Sequence, residues 1–265
     1  MKDLLKLYSF ESVHGSPDET AIADWICKWL NSNNIKDYKR IGNTIYRLGV
    51  FDMPILSAHL DQVKTNGKAV KFFMNPDEKI IAFNDKWERT SLGADDKNGV
   101  WIILQALKTY PNDLNFIISE GEEKGCIGIK KLDTIGILAE SISETQYCLV
   151  LDRKGEKDML KSGSGTTFCS TLAQALCNFT NQDFKVTTGS ISDTCTLCGY
   201  CESVNMSVAY DNPHTSTEIT NFKRLKHIKD TVLDIIKNFE HYSTPTSIYT
   251  SSGYNYSRYY GEFYD

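Results

Sequence analysis

Histidine and carboxylate side chains fall in a fixed order along this 265-residue chain: His59-Leu60-Asp61, Gly93-Ala94-Asp95-Asp96-Lys97-Asn98-Gly99, Glu122-Glu123, Asp152 and His214. Together they suffice to ligate two adjacent divalent metals and leave one carboxylate free to act as a base. Such a set constrains the fold, because segments as distant as His59 and His214 must converge on one point. Apolar runs at Met53 to Ala58, Asn115 to Ile118 and Tyr147 to Leu151 read as strands, and each leads into one of these segments. Side chains at the carboxyl ends of strands in an open α/β sheet meet where ligands bind.

The rest of the chain is consistent with that frame. Ser16-Pro17-Asp18-Glu19 followed by Ile22, Ile26, Trp29 and Leu30 predicts an amphipathic helix, with Ser16 at the N-cap, Pro17 first and Glu19 completing a capping box. Thr44 to Leu48 is a further strand before the Gly49 turn. Val70 to Met74 and Ile80 to Phe83, joined by Asn75-Pro76-Asp77-Glu78, predict a peripheral hairpin placed to overhang a site. Helical patterns cover Gly99 to Leu107, Phe168 to Phe179 and Phe222 to Phe239. This alternation predicts a layered α/β domain with a mixed sheet. With 41% hydrophobic residues the chain supports one core, assigned to residues 1–240. Residues 241–265, rich in Tyr and Ser, read as an appended, loosely docked tail.

The formal charge of −5 is dispersed, and no basic stripe follows a phosphate backbone, so nucleic acid is not an expected partner. The longest strongly apolar run, Val100 to Leu107, is far below the roughly 20 residues of a membrane span. Met1 to Leu7 lacks the apolar stretch of a secretory signal, and the expected location is the cytosol. There the eight cysteines are expected to be free thiols. Cys195, Cys198 and Cys201 have the spacing of a metal knot without its fourth cysteine, and read as small buried or incidental thiols. The pattern sets no oligomeric state.

Two close divalent ions need a shared ligand, and a carboxylate with two oxygens is the natural bridge, which either Asp95 or Asp96 can supply. His59 and His214 supply one imidazole to each ion. Along an extended segment His59 and Asp61 emerge on the same side, so Asp61 can accept the second imidazole N–H and fix the tautomer. Adjacent side chains diverge, so of Glu122 and Glu123 one can ligate a metal while the other faces the attacking water as general base. Each segment alone has a bland reading, as a half-buried histidine, a solvated acidic surface or a turn before a helix. Their order at successive strand ends does not.

The pattern resembles the co-catalytic dizinc exopeptidases, the superfamily of leucine-type bacterial aminopeptidases, peptidase T and the glutamyl aminopeptidases. The likeness includes flanking residues: Ala58 to Asp61, Leu92 to Gly99, Glu122-Glu123-Lys124-Gly125, Leu149 to Asp152, and Asn212-Pro213-His214-Thr215-Ser216-Thr217-Glu218. It implies a three-layer α/β/α fold with a mixed central sheet, of the phosphorylase/hydrolase-like kind. It also implies two divalent ions, zinc first, with cobalt or manganese as alternatives. Carried over, it makes Asp95 the bridge, joined to Asp96 by a cis peptide. It assigns His59 and Asp152 to one ion, Glu123 and His214 to the other, Glu122 as general base and Asp61 as the orienter of His59. Ser192-Asp193 is similar to a Thr/Ser-Asp segment in some relatives.

About 60 residues separate Asp152 from His214, too few for the lid domain some relatives insert there. The resemblance is therefore to lidless aminopeptidases, although Lys97 after the Asp-Asp pair is similar to peptidase T. The implied activity is release of N-terminal residues from short peptides. A metal-dependent deacylase, dipeptidase or carboxypeptidase is the rival, and a non-catalytic binding protein of the same fold the second. Arg153 and Lys154 read as solvated charge; turned inward, they could hold a substrate carboxylate.

Overall fold

A computed structural model describes residues 1–50, 53–142, 146–180 and 184–238. The tail assigned to 241–265, and the end of the last helix at Phe239, lie outside them. Two helices come first, α1 (Lys2–Tyr8) and α2 (Pro17–Ser32), then strands β1 (Lys39–Ile41), β2 (Thr44–Arg47) and β3 (Ile55–His59). The predicted hairpin is β4 (Lys71–Met74) and β5 (Lys79–Phe83), followed by the short β6 (Arg89–Thr90) and the long α3 (Ala94–Thr109). After β7 (Asn115–Ser119) come a 3-10 turn at Glu122–Lys124, α4 (Ile127–Thr134), α5 (Ile137–Ser141) and β8 (Tyr147–Arg153). The remainder is β9 (Asp158–Gly163), β10 (Thr166–Thr167), α6 (Leu172–Thr180), β11 (Lys185–Gly189), α7 (Thr194–Leu197), β12 (Glu202–Ser207), β13 (Tyr210–Asp211), β14 (Ile219–Asn221) and α8 (Phe222–Lys237).

Among the described residues the main sheet has nine strands in the order β1-β2-β7-β3-β8-β12-β9-β10, with β11 also paired to β9. Its centre, β7-β3-β8-β12, is parallel, and β2 and β9 flank it antiparallel. Central parallel strands must be apolar on both faces, and these alternate accordingly. Leu56, Ala58, Leu149 and Leu151 join the core under α2, α3, α6 and α8. Ile55, Cys148 and Val150 point the other way, into the core under α4, α5 and α7. The chain is therefore a three-layer α/β/α fold with a mixed sheet.

The hairpin is not a free flap. It belongs to a five-stranded second sheet, β13-β14-β5-β4 with β6 on β5, and so it is joined to the strands that flank His214. Residues between Asp152 and His214 supply β9 through β12 of the main sheet and the two-residue β13. No helix among the described residues is long and apolar enough to cross a membrane.

Two local expectations need correction. Ser16 caps α2 by accepting the Glu19 N–H, but the Glu19 carboxylate bypasses Ser16, taking the Gly15 N–H at 2.8 Å and meeting His14 Nδ1 at 2.9 Å. The helix read from Phe168 starts only at Leu172. Glu202 accepts both the N–H and the hydroxyl of Ser170, and Phe168 donates its N–H to Lys161 O, so the chain there is bound to its neighbours before it can coil. All eight cysteines are free.

Candidate active site

The parallel centre of the sheet sets the site. β3 ends at His59, β7 leads through Gly121 (φ 64°) into the Glu122–Lys124 turn, and β8 carries Asp152 as its next-to-last residue. Asp95 and Asp96 open α3 with non-helical torsions, and the bond between them is cis. His214 comes from the loop between β13 and β14.

Each residue of Asp95-Asp96-Lys97-Asn98-Gly99 has a distinct environment. Asp96, fully buried, accepts the His59 N–H at 3.2 Å with Oδ2 and the Gly99 N–H at 3.1 Å with Oδ1. Lys97, also fully buried, donates to Phe10 O at 2.6 Å and to Gln62 Oε1, and burial lowers its pKa to about 7. Asn98 donates to Val208 O at 2.8 Å and accepts from the Tyr8 hydroxyl. Gly99 has no room for a side chain: a Cβ would collide with Leu151 O and stand 2.6 Å from the Asp96 carboxylate. With its neighbours committed to the scaffold, Asp95 is the member whose carboxylate faces both histidines.

His59 Nε2 lies 3.3 Å from Asp95 Oδ1 and 3.5 Å from Asp152 Oδ1. On the other side His214 Nε2 lies 3.1 Å from Asp95 Oδ2 and 2.7 Å from Glu123 Oε1. Asp95 thus turns one oxygen to each imidazole. Donor atoms of His59, Asp95 and Glu123 lie within 4.8 Å of one another, as do those of His59, Asp96 and Asp152. In the second trio Asp96 is already engaged by two main-chain N–H groups, so the first describes the accessible donors better. Glu122 Oε2 stands 3.8 Å from His59 Nε2, at the edge of the same cluster.

The outer contacts lock this arrangement. His59 Nδ1 lies 3.0 Å from the main-chain oxygen of Asp61 and 3.4 Å from its Oδ1. The Asp61 carboxylate accepts the N–H groups of Glu122 and Glu123 at 3.0 and 3.3 Å. Sequence reasoning assigned no role to Glu218, which is fully buried and accepts the Asp95 N–H at 3.1 Å and the Ser91 hydroxyl at 2.6 Å. Its place in the segment after His214 was the available signal. Asp193 is buried behind the site and accepts from the Ser119 hydroxyl, and burial pushes its pKa up to about 6.

Five carboxylates, Asp95, Asp96, Glu122, Glu123 and Asp152, crowd around two imidazoles, and among the described residues none of them pairs with a lysine or arginine. Burial and the neighbouring Asp152 charge push Glu122 up to about 9. Burial, with Asp95 and Asp193 nearby, raises Asp152 to about 7 against the opposing His59 contact. Burial would raise Asp95 too, but His214 and His59 hold it well below the usual range. This concentration of carboxylate oxygen and imidazole donors fits divalent cations of the zinc, cobalt or manganese kind.

The cavity at this cluster measures about 240 Å³. Arg153 and Lys154, read from sequence as solvated charge, both line it. Cys195, Cys198 and Cys201 do not, and they join no group of metal donors among the described residues.

Solved structures with the same architecture include aminopeptidase PepT from Bacillus cereus, which matches over 90% of this chain and 97% of its own at 16% identity, with a TM-score of 0.72. A tripeptidase from Staphylococcus aureus matches over 89% and 96% at 16% identity, with a TM-score of 0.69. The chain has the fold of these peptidases. An aminopeptidase from the archaeon Desulfurococcus kamchatkensis shares this fold over 94% of this chain and 98% of its own, at 12% identity and a TM-score of 0.66. No protein-family model and no curated protein sequence matches the chain.

Proposed function

We propose that the protein is a two-metal aminopeptidase that removes N-terminal residues from short peptides. The observation that carries this reading is Asp95, whose Oδ1 and Oδ2 face His59 and His214 at 3.3 and 3.1 Å. His59 and Asp152 would hold one ion, His214 and Glu123 the other, and Asp95 both. When bound, the ions supply Lewis acidity at the scissile carbonyl and lower the pKa of the attacking water.

The chain's own residues do the rest. With the charge of two bound cations holding its carboxyl ionised, Glu122 would take the proton of the attacking water and return it to the leaving amine. Asp61 keeps the Glu122 N–H anchored, so that carboxylate is presented at a fixed distance from His59. Asp96, Gly99 and Glu218 hold the backbone on either side of Asp95, which reduces the reorganisation needed for catalysis.

The solved proteins that share the fold, an aminopeptidase and a tripeptidase, support peptides as the substrate class. The test is hydrolysis of short peptides with free and with N-acetylated amino termini after loading with Zn²⁺, Co²⁺ or Mn²⁺. Release of the N-terminal residue from free peptides alone is expected. Cleavage of the acetylated series instead would identify a deacylase or carboxypeptidase, and cleavage of neither would leave a binding protein.

A further inference from the structure

We infer that Arg153 is a specificity-determining residue that recognises a carboxylate on the residue flanking the scissile bond. The inference rests on the peptidase reading above and adds the substrate's charge. Arg153 and Lys154 are the lysine and arginine side chains among the described residues lining the cavity, opposite in charge to the Asp and Glu cluster. Strand β8 delivers Asp152 and Arg153 as consecutive residues, so cation and metal-facing carboxylate start from Cα atoms about 3.8 Å apart. A carboxylate held by Arg153 would therefore lie within one side chain's reach of the reacting carbonyl, as that of a residue flanking the scissile bond does.

The arginine is not spent on neutralising Asp152. Its Nε donates to Asp158 Oδ2 on β9 at 3.2 Å, which uses one of five guanidinium N–H donors and fixes the plane of the fork. Nη1 lies 3.9 Å from where a Cβ on Gly189 would stand, directly before the cavity-lining Ser190 and Ile191. The other lining groups on that side, Leu160, Ser190, Ile191 and Asn205, are neutral, so the carboxylate nearest the guanidinium is that of Asp158, which is engaged through Nε. A planar fork held in this way suits bidentate binding of a carboxylate. The side chain is part-exposed, at 23%, so a ligand can reach it.

Two sources present this chemistry, the free C-terminus of a dipeptide and an acidic side chain. Matched pairs separate them: dipeptides against their C-terminal amides, and Asp- against Asn-containing peptide amides. In the metal-loaded wild type one kind of pair should show a preference for the acid of about 10- to 100-fold in kcat/KM, expressed in KM. In Arg153→Met the acid-to-amide ratio should fall to near one, with Arg153→Lys retaining part of it. Preference in the terminal pairs identifies the C-terminus, and preference in the Asp/Asn pair identifies the side chain. Equal rates within every pair in the wild type, or an undiminished ratio in Arg153→Met, overturn the inference and leave the peptidase reading standing. Should the wild type cleave none of the peptides, that reading fails, and calorimetric binding of the same pairs decides the inference. Tighter binding of the acid that is lost in Arg153→Met supports it, and equal affinities overturn it.

Discussion

Asp61 ties the Glu122 turn to the His59 strand: its carboxylate accepts the Glu122 N–H at 3.0 Å, while its main-chain oxygen lies 3.0 Å from His59 Nδ1. One residue thus positions both the proposed base and a proposed ligand. Asp61→Asn should keep its metals, because no ligand is removed, yet lose about 10- to 100-fold in activity. Metal analysis and kcat on a short peptide amide check this, and unchanged kcat would show that the Glu122 turn holds its geometry without the carboxylate.

Glu122→Gln should retain full metal content and lose about 10²- to 10⁴-fold in kcat, since the amide keeps the shape and cannot accept the proton. Near wild-type turnover would remove Glu122 from the mechanism.

The close approach of α3 to β8 at Gly99 gives a stability prediction. Gly99→Ala places a methyl against Leu151 O and the Asp96 carboxylate, neither of which is a flexible side-chain tip. Overpacking of this kind costs roughly 1–3 kcal/mol, readable as a lowered midpoint in denaturant. A midpoint equal to that of the wild type would mean that α3 can slide without loss.

Metal uptake should release protons. Burial opposes protonation of His59, but Asp152, Asp61 and Asp95 outweigh it and raise its pKa well above the ordinary value, and contacts with Asp95 and Glu123 raise His214 to about 10. Both imidazoles are therefore charged in the metal-free protein near neutrality, and both must be neutral to ligate. Metal affinity should rise with pH between about 6 and 9. Calorimetry in buffers of different ionisation enthalpy should show net proton release, and zero release would contradict the ligand assignment.

The sequence made the sheet centre and its strand-end residues legible, because β3, β7 and β8 are mostly apolar runs with His59, Glu122 and Asp152 at or just beyond their ends. The second sheet was only half legible: β6 and β13 have two residues each and β14 three, too few to show a period. Lys97 and Glu218 were visible as motif residues, but their complete burial depends on partners distant in sequence, Phe10 and Gln62 for one and Ser91 and Asp95 for the other. Arg153 read as surface charge because arginine and lysine side chains are mostly solvated, whereas at the end of β8 it borders the cavity together with Asp152. Between Asp95 and Asp96, spacing alone could not choose; the two main-chain N–H groups that occupy Asp96 make the difference.

The central claim is that one carboxylate, Asp95, holds two ions. The direct measurement is elemental analysis of zinc-loaded, dialysed wild type and Asp95→Ala, each verified as folded by circular dichroism. The account predicts about two ions per wild-type chain and loss of both in Asp95→Ala. Two ions retained at full occupancy in Asp95→Ala would contradict it.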